Sequence, residues 1–472
     1  MSFRNIFLFF FSLLSFFLFL IALFEYEGNK LYYIIFSLIS YIYLVYLTNK
    51  NSFFYENFIS VFLFAGFWFN FTIKINFLDS LFPEGVGFFD YEPSSFDEVM
   101  IVCSISFISI IFSSFIRRKI FTGSTNHLVK PKFTFHPKSF FTLFILFLIF
   151  VILISYLNYN FSIYQRSFTS KIELNFFITN FFKWFFLIGC STFCAYFINL
   201  YINQTKKLPK KIIIIHIFIE FIINLSMLSR GMVFNSISIA WGIFKKTNFK
   251  KHYIFNSIYL ILIISLFILG IKVVGDLRLK NNTLQISANC LEINEDKALK
   301  KIAKSSFNNS DIQNKYVRIL LSRLIGIEGV MAVQSLDNKG YALILESLKE
   351  NPSLENGISF FDNLKTDQRC NEKSVKSLTL PGIIAFLYYS GSLVFLSISL
   401  IIINLFMCLI EKIMRILLGN QLLFISLVSQ ILAYRMWHFG FAPLNSIKLL
   451  TAIFITIFLV YLMNKIFMKN IN

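Results

Sequence analysis

Apolar runs alternate with short polar connections along most of the chain, and a membrane crossing needs ~20 apolar residues for a ~30 Å hydrocarbon core. The pattern predicts twelve spans. The first six are Ile6–Phe24, Leu31–Leu47, Phe54–Ile73, Val99–Ile116, Ser139–Leu157 and Phe176–Ile202. A seventh runs from after Lys210-Lys211 to Leu228, and Met232–Phe244, Tyr253–Val274, Pro381–Ile410, Ile416–Tyr434 and Ile447–Phe467 complete the set. Spans seven and eight form a tight hairpin with Arg230 near its tip. The first run has no small-residue cleavage site, so it reads as a retained helix. The alternation breaks once, over residues 275–380, which are polar. Transmembrane helices one to nine therefore occupy residues 1–274, a large loop 275–380, and helices ten to twelve 381–472. Within the loop, Leu and Ile fall at helical spacing among the charges from Arg318 to Gly329, the pattern of an amphipathic helix. The stretch Asp311–Ser335 is expected to roof a cavity.

Composition agrees with that pattern. Of 472 residues, 56% are hydrophobic and 63 are Phe, more apolar side chain than a soluble domain can hide. The class is an all-α, polytopic membrane protein. The excess of Phe, Ile, Asn and Lys is that of AT-rich coding, so the aromatics carry no sugar-stacking signal. A net charge of +19 suggests nucleic acid in a soluble protein; here it is read as topology, and no nucleic-acid partner is expected. Lys-rich, acid-free connections all fall on one side, which places both termini in the cytoplasm. The acidic segment Lys74–Glu98, the loop holding Arg166, the Arg230 tip, the large loop and the turn Arg435–His438 fall on the other. Cys103, Cys190, Cys194 and Cys408 lie in spans as small buried hydrophobes. Cys290 and Cys370, near opposite ends of the outer loop, are expected to bridge if that side is oxidising.

The unexpected residues are arginines on the outer side: Arg166, Arg230, Arg278, Arg318, Arg323, Arg369 and Arg435. Most lie close to a span end, where they can converge on one cavity. A guanidinium grips phosphate through a planar fork of donors, so the cluster points to an anionic lipid headgroup, a lipid-linked pyrophosphate above all. Taken singly, each also fits an arginine that snorkels to lipid or pairs with a loop carboxylate. Tyr164 and Arg166 also read as interfacial anchors, Arg323 and Glu328 as a helix-surface pair, and Asp276 and Arg278 as the charged exit of span nine. His438, three residues after Arg435, shares its face on a helix, yet beside Trp437 it also reads as interfacial. No phosphate-binding glycine loop followed by Lys-Ser/Thr is present, and no metal-binding spacing of His or Cys, so no cofactor and no metal are expected. His216 and Glu220, spaced i and i+4 in span seven, form the one candidate pair for coupled transport.

Several short marks carry a family resemblance: Tyr164-x-Arg166, Ser229-Arg230-Gly231, Arg323 to Gly329 followed by Met331-Ala332-Val333, and Pro381-Gly382 with Tyr388-Tyr389-Ser390-Gly391. With the layout of spans and one late outer loop, the chain resembles the Wzy-type O-antigen and capsule polymerases. These are bacterial inner-membrane enzymes related to the O-antigen ligases. The ligases often carry a His late in the large loop, and residues 275–380 contain none. The resemblance implies a GT-C-like, metal-independent glycosyltransferase. It joins undecaprenyl-pyrophosphate-linked repeat units at the periplasmic face, with a chain-length regulator protein as partner. Arg230, Arg278, Arg323 and Arg166 are then expected to stabilise the leaving pyrophosphate. Glu328 and His438, with Asp276 behind them, are the candidates for the base. Tyr164, Arg166, Arg318, Arg435 and Asp276 are expected to line the substrate. A ligase, and a flippase or exporter of lipid-linked oligosaccharide, remain the competing readings.

Overall fold

A computed structural model describes residues 3–49, 51–77, 86–121, 129–131, 137–165, 174–229, 233–246, 253–282, 326–349, 382–419, 421–436 and 443–470, with the single positions 80, 82, 172 and 231. Among these residues, eight helices are long and apolar enough to cross a membrane, and two shorter apolar helices join them. The protein is a multi-pass, helical membrane protein.

In chain order the helices are α1 (Phe3–Glu25), α2 (Lys30–Leu47), α3 (Phe54–Phe64), α4 (Asn70–Phe77), α5 (Pro93–Ile120), α6 (Pro137–Phe161), α7 (Phe176–Trp184) and α8 (Cys190–Thr205). They continue with α9 (Lys210–Ser226), α10 (Val233–Lys246), α11 (Tyr253–Asn282), α12 (Ile327–Gln334), α13 (Tyr341–Leu348), α14 (Gly382–Tyr388), α15 (Leu393–Leu418), α16 (Leu422–Ile431) and α17 (Pro443–Phe467). A two-stranded antiparallel ribbon, β1 (Val129–Pro131) with β2 (Met468–Asn470), is the one departure from helix among the described residues.

Most elements follow the apolar runs, but span ten is cut. Its first part forms α14 from Gly382, and α15 begins only at Leu393. Between them Gly391 adopts φ +67°, a left-handed conformation that glycine takes without steric cost. Ser392 then caps α15, its hydroxyl accepting from the Phe395 amide at 3.3 Å. Gly419, at φ +58° with its amide bonded to the Arg415 carbonyl, ends α15 as a C-terminal cap. Span eleven accordingly starts at Leu422 and not at Ile416. Helices α9 and α10, with 17 and 14 residues, fall short of a perpendicular crossing.

The chain divides into two compact units. Unit 1 holds residues 1–120, 286–407 and 433–446; unit 2 holds 121–285, 408–432 and 447–472. In unit 1, α2 packs on α5 and α1 on α4. The core there is a column of rings, with Phe71 against Tyr33 and Phe36, Phe36 stacked on Phe107, and Phe107 on Tyr43 at 4.6 Å. Phenylalanine thus fills helix interfaces here. In unit 2, α10 and α16 approach so closely that a Cβ on Gly242 would lie 2.8 Å from the Leu423 Cα. Small residues allow this backbone approach where lipid supplies no hydrophobic drive.

Among the described residues, three single π-helical turns interrupt the spans, at Ala65–Phe69, Phe185–Gly189 and Leu432–Met436. Each inserts a residue into the i→i−4 ladder and re-aims the side chains that follow. Asn70 and Lys74 follow the first, Ser191 follows the second, and Arg435 lies inside the third.

Two buried ion pairs bracket unit 1. At one end Arg117 of α5 meets Glu56 of α3, with Nη2 to Oε2 at 2.6 Å, and Ser114 also donates to that carboxylate. At the other end Lys74 of α4 meets Glu328 of α12. Along the continuous helix Phe54–Phe77, the steps from residue 56 to residue 74 span about 27 Å at ~1.5 Å per residue.

Candidate functional site

The expected site residues divide between the two units, and each group is described by itself. Unit 2 carries Tyr164, Arg166, Arg230, Asp276 and Arg278. Its organising residue is Asn158, which the apolar pattern leaves at the start of a loop. In the structure α6 continues to Phe161, so Asn158 is a buried residue of its last turns. Its Oδ1 accepts from the Tyr164 amide at 2.7 Å, and its Nδ2 donates to the Tyr164 carbonyl at 3.2 Å. The same Nδ2 donates to the Ser226 hydroxyl at 2.8 Å and to the Ser226 carbonyl at 3.1 Å. Ser226 Oγ donates in turn to the Ser155 carbonyl, and Gln165 Nε2 to the Ser226 carbonyl. One side chain thus ties the turn after α6 to the end of α9.

The end of α9 is itself unusual. The Ser229 amide reaches back to the Asn224 carbonyl at 2.9 Å, and the Leu228 amide to the Leu225 carbonyl at 3.1 Å. This is the closure that normally carries glycine in the left-handed position. Leu228 occupies that position, at φ +48°, where a side chain costs about 1–2 kcal/mol. Ser229 Oγ then accepts from the Gly231 amide at 3.3 Å, so a hydroxyl turn brackets position 230. Strain of this kind gathers at functional positions.

Helix α11 runs parallel to α9. Lys210 lies over the Phe255 ring near one end, and a Cβ on Gly270 would lie 3.8 Å from the Phe221 ring further along. Asp276 and Arg278 fall in the last turns of α11, at the end where α9 also finishes. Tyr164 is half-buried in its turn. Arg166 and Arg230 lie outside the described residues, directly beyond the two turns that Asn158 joins.

Unit 1 carries Arg318, Arg323, Glu328, Arg435 and His438. Arg318, Arg323 and His438 lie outside the described residues, as do Arg369, Cys290 and Cys370. Arg435 is buried, 4% exposed, inside the third π-turn. Glu328 is 3% exposed. Its Oε1 accepts from Lys74 Nζ and from Asn70 Nδ2, the latter at 2.6 Å, while Oε2 meets no hydrogen-bond partner among the described residues. Asn70 and Lys74 sit i and i+4 on α4 and so present one face. The Lys74 ammonium also lies 4.7 Å from the centre of the Phe82 ring. Burial lifts the nearby Tyr91 phenol to about 12, and the Glu328 charge adds to that rise.

The expected amphipathic roof is different where it is described. Helix α12 is buried on every side, from Ile327 to Val333, and packs against α5 and α14. Residues alternate in polarity only before Ile327; from there Val330-Met331-Ala332-Val333 is a core sequence. Gln334 Nε2 donates to Glu98 Oε2 at 2.9 Å, and the Gly340 amide to the Tyr389 carbonyl at 2.8 Å. The segment therefore docks on α5 and on the turn that cuts span ten.

A further polar cluster lies in the middle of unit 2. Glu220 of α9 is buried; Ser191 Oγ donates to its Oε1 at 2.5 Å and Asn235 Nδ2 to its Oε2 at 3.4 Å. His216 Nε2 lies 3.3 Å from Oε1. The two side chains are thus buried neighbours on α9, and neither His216 nitrogen makes a hydrogen bond among the described residues. Lys74, Asn70, Asn158 and Ser226 were not among the expected residues. For Lys74 a signal existed, a lysine at the end of a span that the charge pattern assigns to the side without lysine-rich connections. Compared with family models, with curated proteins and with solved structures, the chain matches none.

Proposed function

We propose that this protein polymerises oligosaccharide repeat units carried on undecaprenyl pyrophosphate, for O-antigen or capsule, at the periplasmic face of a bacterial inner membrane. The observation that carries the reading is the double anchor of Asn158. It ties the turn that leads to Arg166 to the turn that leads to Arg230, and α11 ends on the same side with Asp276 and Arg278. Arginines set far apart in the chain are thereby supported as neighbours, which a diphosphate site requires. The resemblance of the short marks supplies the substrate class.

The growing glycan on undecaprenyl pyrophosphate is the donor, and a single lipid-linked repeat unit is the acceptor. A sugar hydroxyl of the acceptor attacks the anomeric carbon of the donor. The bond from that carbon to the pyrophosphate oxygen breaks, and the hydroxyl proton leaves to a base or water. Pyrophosphate leaves readily once its charge is held, so the protein contributes charge stabilisation and the alignment of two lipids. Arg230, Arg166, Arg278 and Arg323 hold the leaving group in this reading. Tyr164, Arg318 and Arg435 line the substrate. Glu328, His438 and Asp276 remain the candidates to take the proton, and a chain-length regulator is the expected partner.

One observation favours a second reading. The buried Glu220–His216 pair is of the kind that coupled transporters place in mid-membrane, and it suits a flippase or exporter of lipid-linked oligosaccharide. Deletion of the gene in a strain that makes surface glycan separates the readings. A polymerase leaves single capped repeats and no long chains, whereas a flippase or a ligase leaves no capped glycan. In the same strain Arg230→Ala is expected to keep the protein at its normal level and to abolish long chains. Normal chains would remove Arg230 from the site.

A further inference from the structure

Lys74 has no part in the roles assigned above, and its burial against Glu328, there a candidate base, is unusual. A helix from the long polar insertion enters the end of a transmembrane bundle and is covered on all sides. Such a helix needs a polar anchor, because loop residues at either end pull it toward water. Burying an ammonium and a carboxylate is costly unless each finds the other and further hydrogen bonds complete the site. Lys74 and Asn70 meet that condition at Glu328 Oε1, with two donors on one face of α4. The π-turn just before Asn70 is also where Gly326 seats. A Cβ on Gly326 would lie 2.5 Å from Phe67 Cε2 and 3.0 Å from the Gly66 carbonyl oxygen. Glycine is thus required there by space. The irregular turn therefore does two things: it opens a slot for the chain at Gly326 and aims Asn70 and Lys74 at Glu328.

We infer that Lys74 and Asn70 are positioning residues of the transfer reaction, which seat the large loop by holding Glu328 in the end of unit 1. This deepens the polymerase reading and rests on it. Arg323 precedes Glu328 by five residues, with Gly326 fixed between them. The seat of Glu328 thus fixes the chain five residues after Arg323. Glu328 acts through this contact, and the base of the reaction is then another group. Lys74 differs from the arginines in touching no substrate; its loss displaces the loop.

The test uses the full-length protein reconstituted in lipid nanodiscs, with two readouts. The first is tryptic cleavage after Lys339, a half-buried residue whose Nζ is held by the Gln334 carbonyl. The second is steady-state turnover of undecaprenyl-pyrophosphate-linked repeat units. Lys74→Met is expected to speed cleavage after Lys339 and to lower kcat about tenfold or more, with KM changed less than about threefold, because alignment in the transition state is what is lost. Lys74→Arg keeps the charge and should restore most of both. The exchange Lys74→Glu with Glu328→Lys should restore protection relative to either single change. Protection and kcat unchanged in Lys74→Met would overturn the inference. So would faster cleavage with normal kcat, or an exchange no better than the single changes. Should the wild-type protein join no repeat units, the polymerase reading fails, and with it the role in transfer; the cleavage pattern still reports whether the pair seats the loop.

Discussion

Replacing Asn158 by Ala tests the anchor on which the site depends. The change removes four hydrogen bonds, but their losses are unequal. The Ser226 carbonyl keeps Gln165 Nε2 at 3.3 Å, and the Ser226 hydroxyl keeps the Ser155 carbonyl at 2.9 Å. The uncompensated loss falls on Tyr164, whose amide and carbonyl both bond to Asn158. One unmet buried group costs about 1–3 kcal/mol, and with two partly buried groups the turn should lose about 2–4 kcal/mol. At ~1.4 kcal/mol per factor of ten, opening of the turn rises about 30- to 700-fold. Hydrogen exchange at the Tyr164 amide, followed by mass spectrometry in nanodiscs, reads this directly. Asn158→Asp keeps the acceptor for that amide and loses the donors, so it should retain part of the protection. If the two turns share a site, Asn158→Ala should also shorten surface chains while the protein level holds. An unchanged exchange rate at Tyr164 would refute the argument that Asn158 carries the turn.

Three further changes probe other parts of the molecule. Gly242→Ala sets a methyl 2.8 Å from the Leu423 Cα and 3.1 Å from the Leu422 carbonyl oxygen; forcing α10 from α16 should cost about 1–3 kcal/mol, measured as a lower unfolding temperature in detergent. Arg117→Met leaves Glu56 buried and uncompensated, with an expected loss of about 3–5 kcal/mol, whereas removing both charges together should cost less; thermal unfolding of the single and double variants checks the order. Glu220→Gln keeps one acceptor for Ser191, and Asn235 keeps the Ser191 hydroxyl at 2.8 Å; on the polymerase reading chain length should stay normal, and loss of all surface glycan would favour the transport reading.

Much of this architecture was legible as pattern. Apolar runs and charge asymmetry locate helices whatever their neighbours are, because each run must satisfy its backbone within itself in lipid. What escaped depends on contacts remote in sequence. Asn158 looked like the first residue of a loop, since polarity alone does not tell a helix end from an anchor within it. The π-turn before Asn70 leaves no periodic trace in a run that is apolar on every side. Glu328 was legible as a charged residue near a glycine, but its partner lies 254 residues away. The cut in span ten was written in Ser390-Gly391-Ser392, and the apolar residues around it hid the break. Of the candidate site, the marks at Tyr164 and Ser229 were legible, and the residue that joins them was not.

The helix Phe54–Phe77 has a consequence for the lipid around it. Each of its ends is fixed by a buried charge, Glu56 to Arg117 and Lys74 to Glu328. It can neither slide along its axis nor fray without breaking one of those pairs and leaving a charge alone in the protein interior. The lipid around unit 1 must therefore fit the helix, because the helix cannot change its length to fit the lipid.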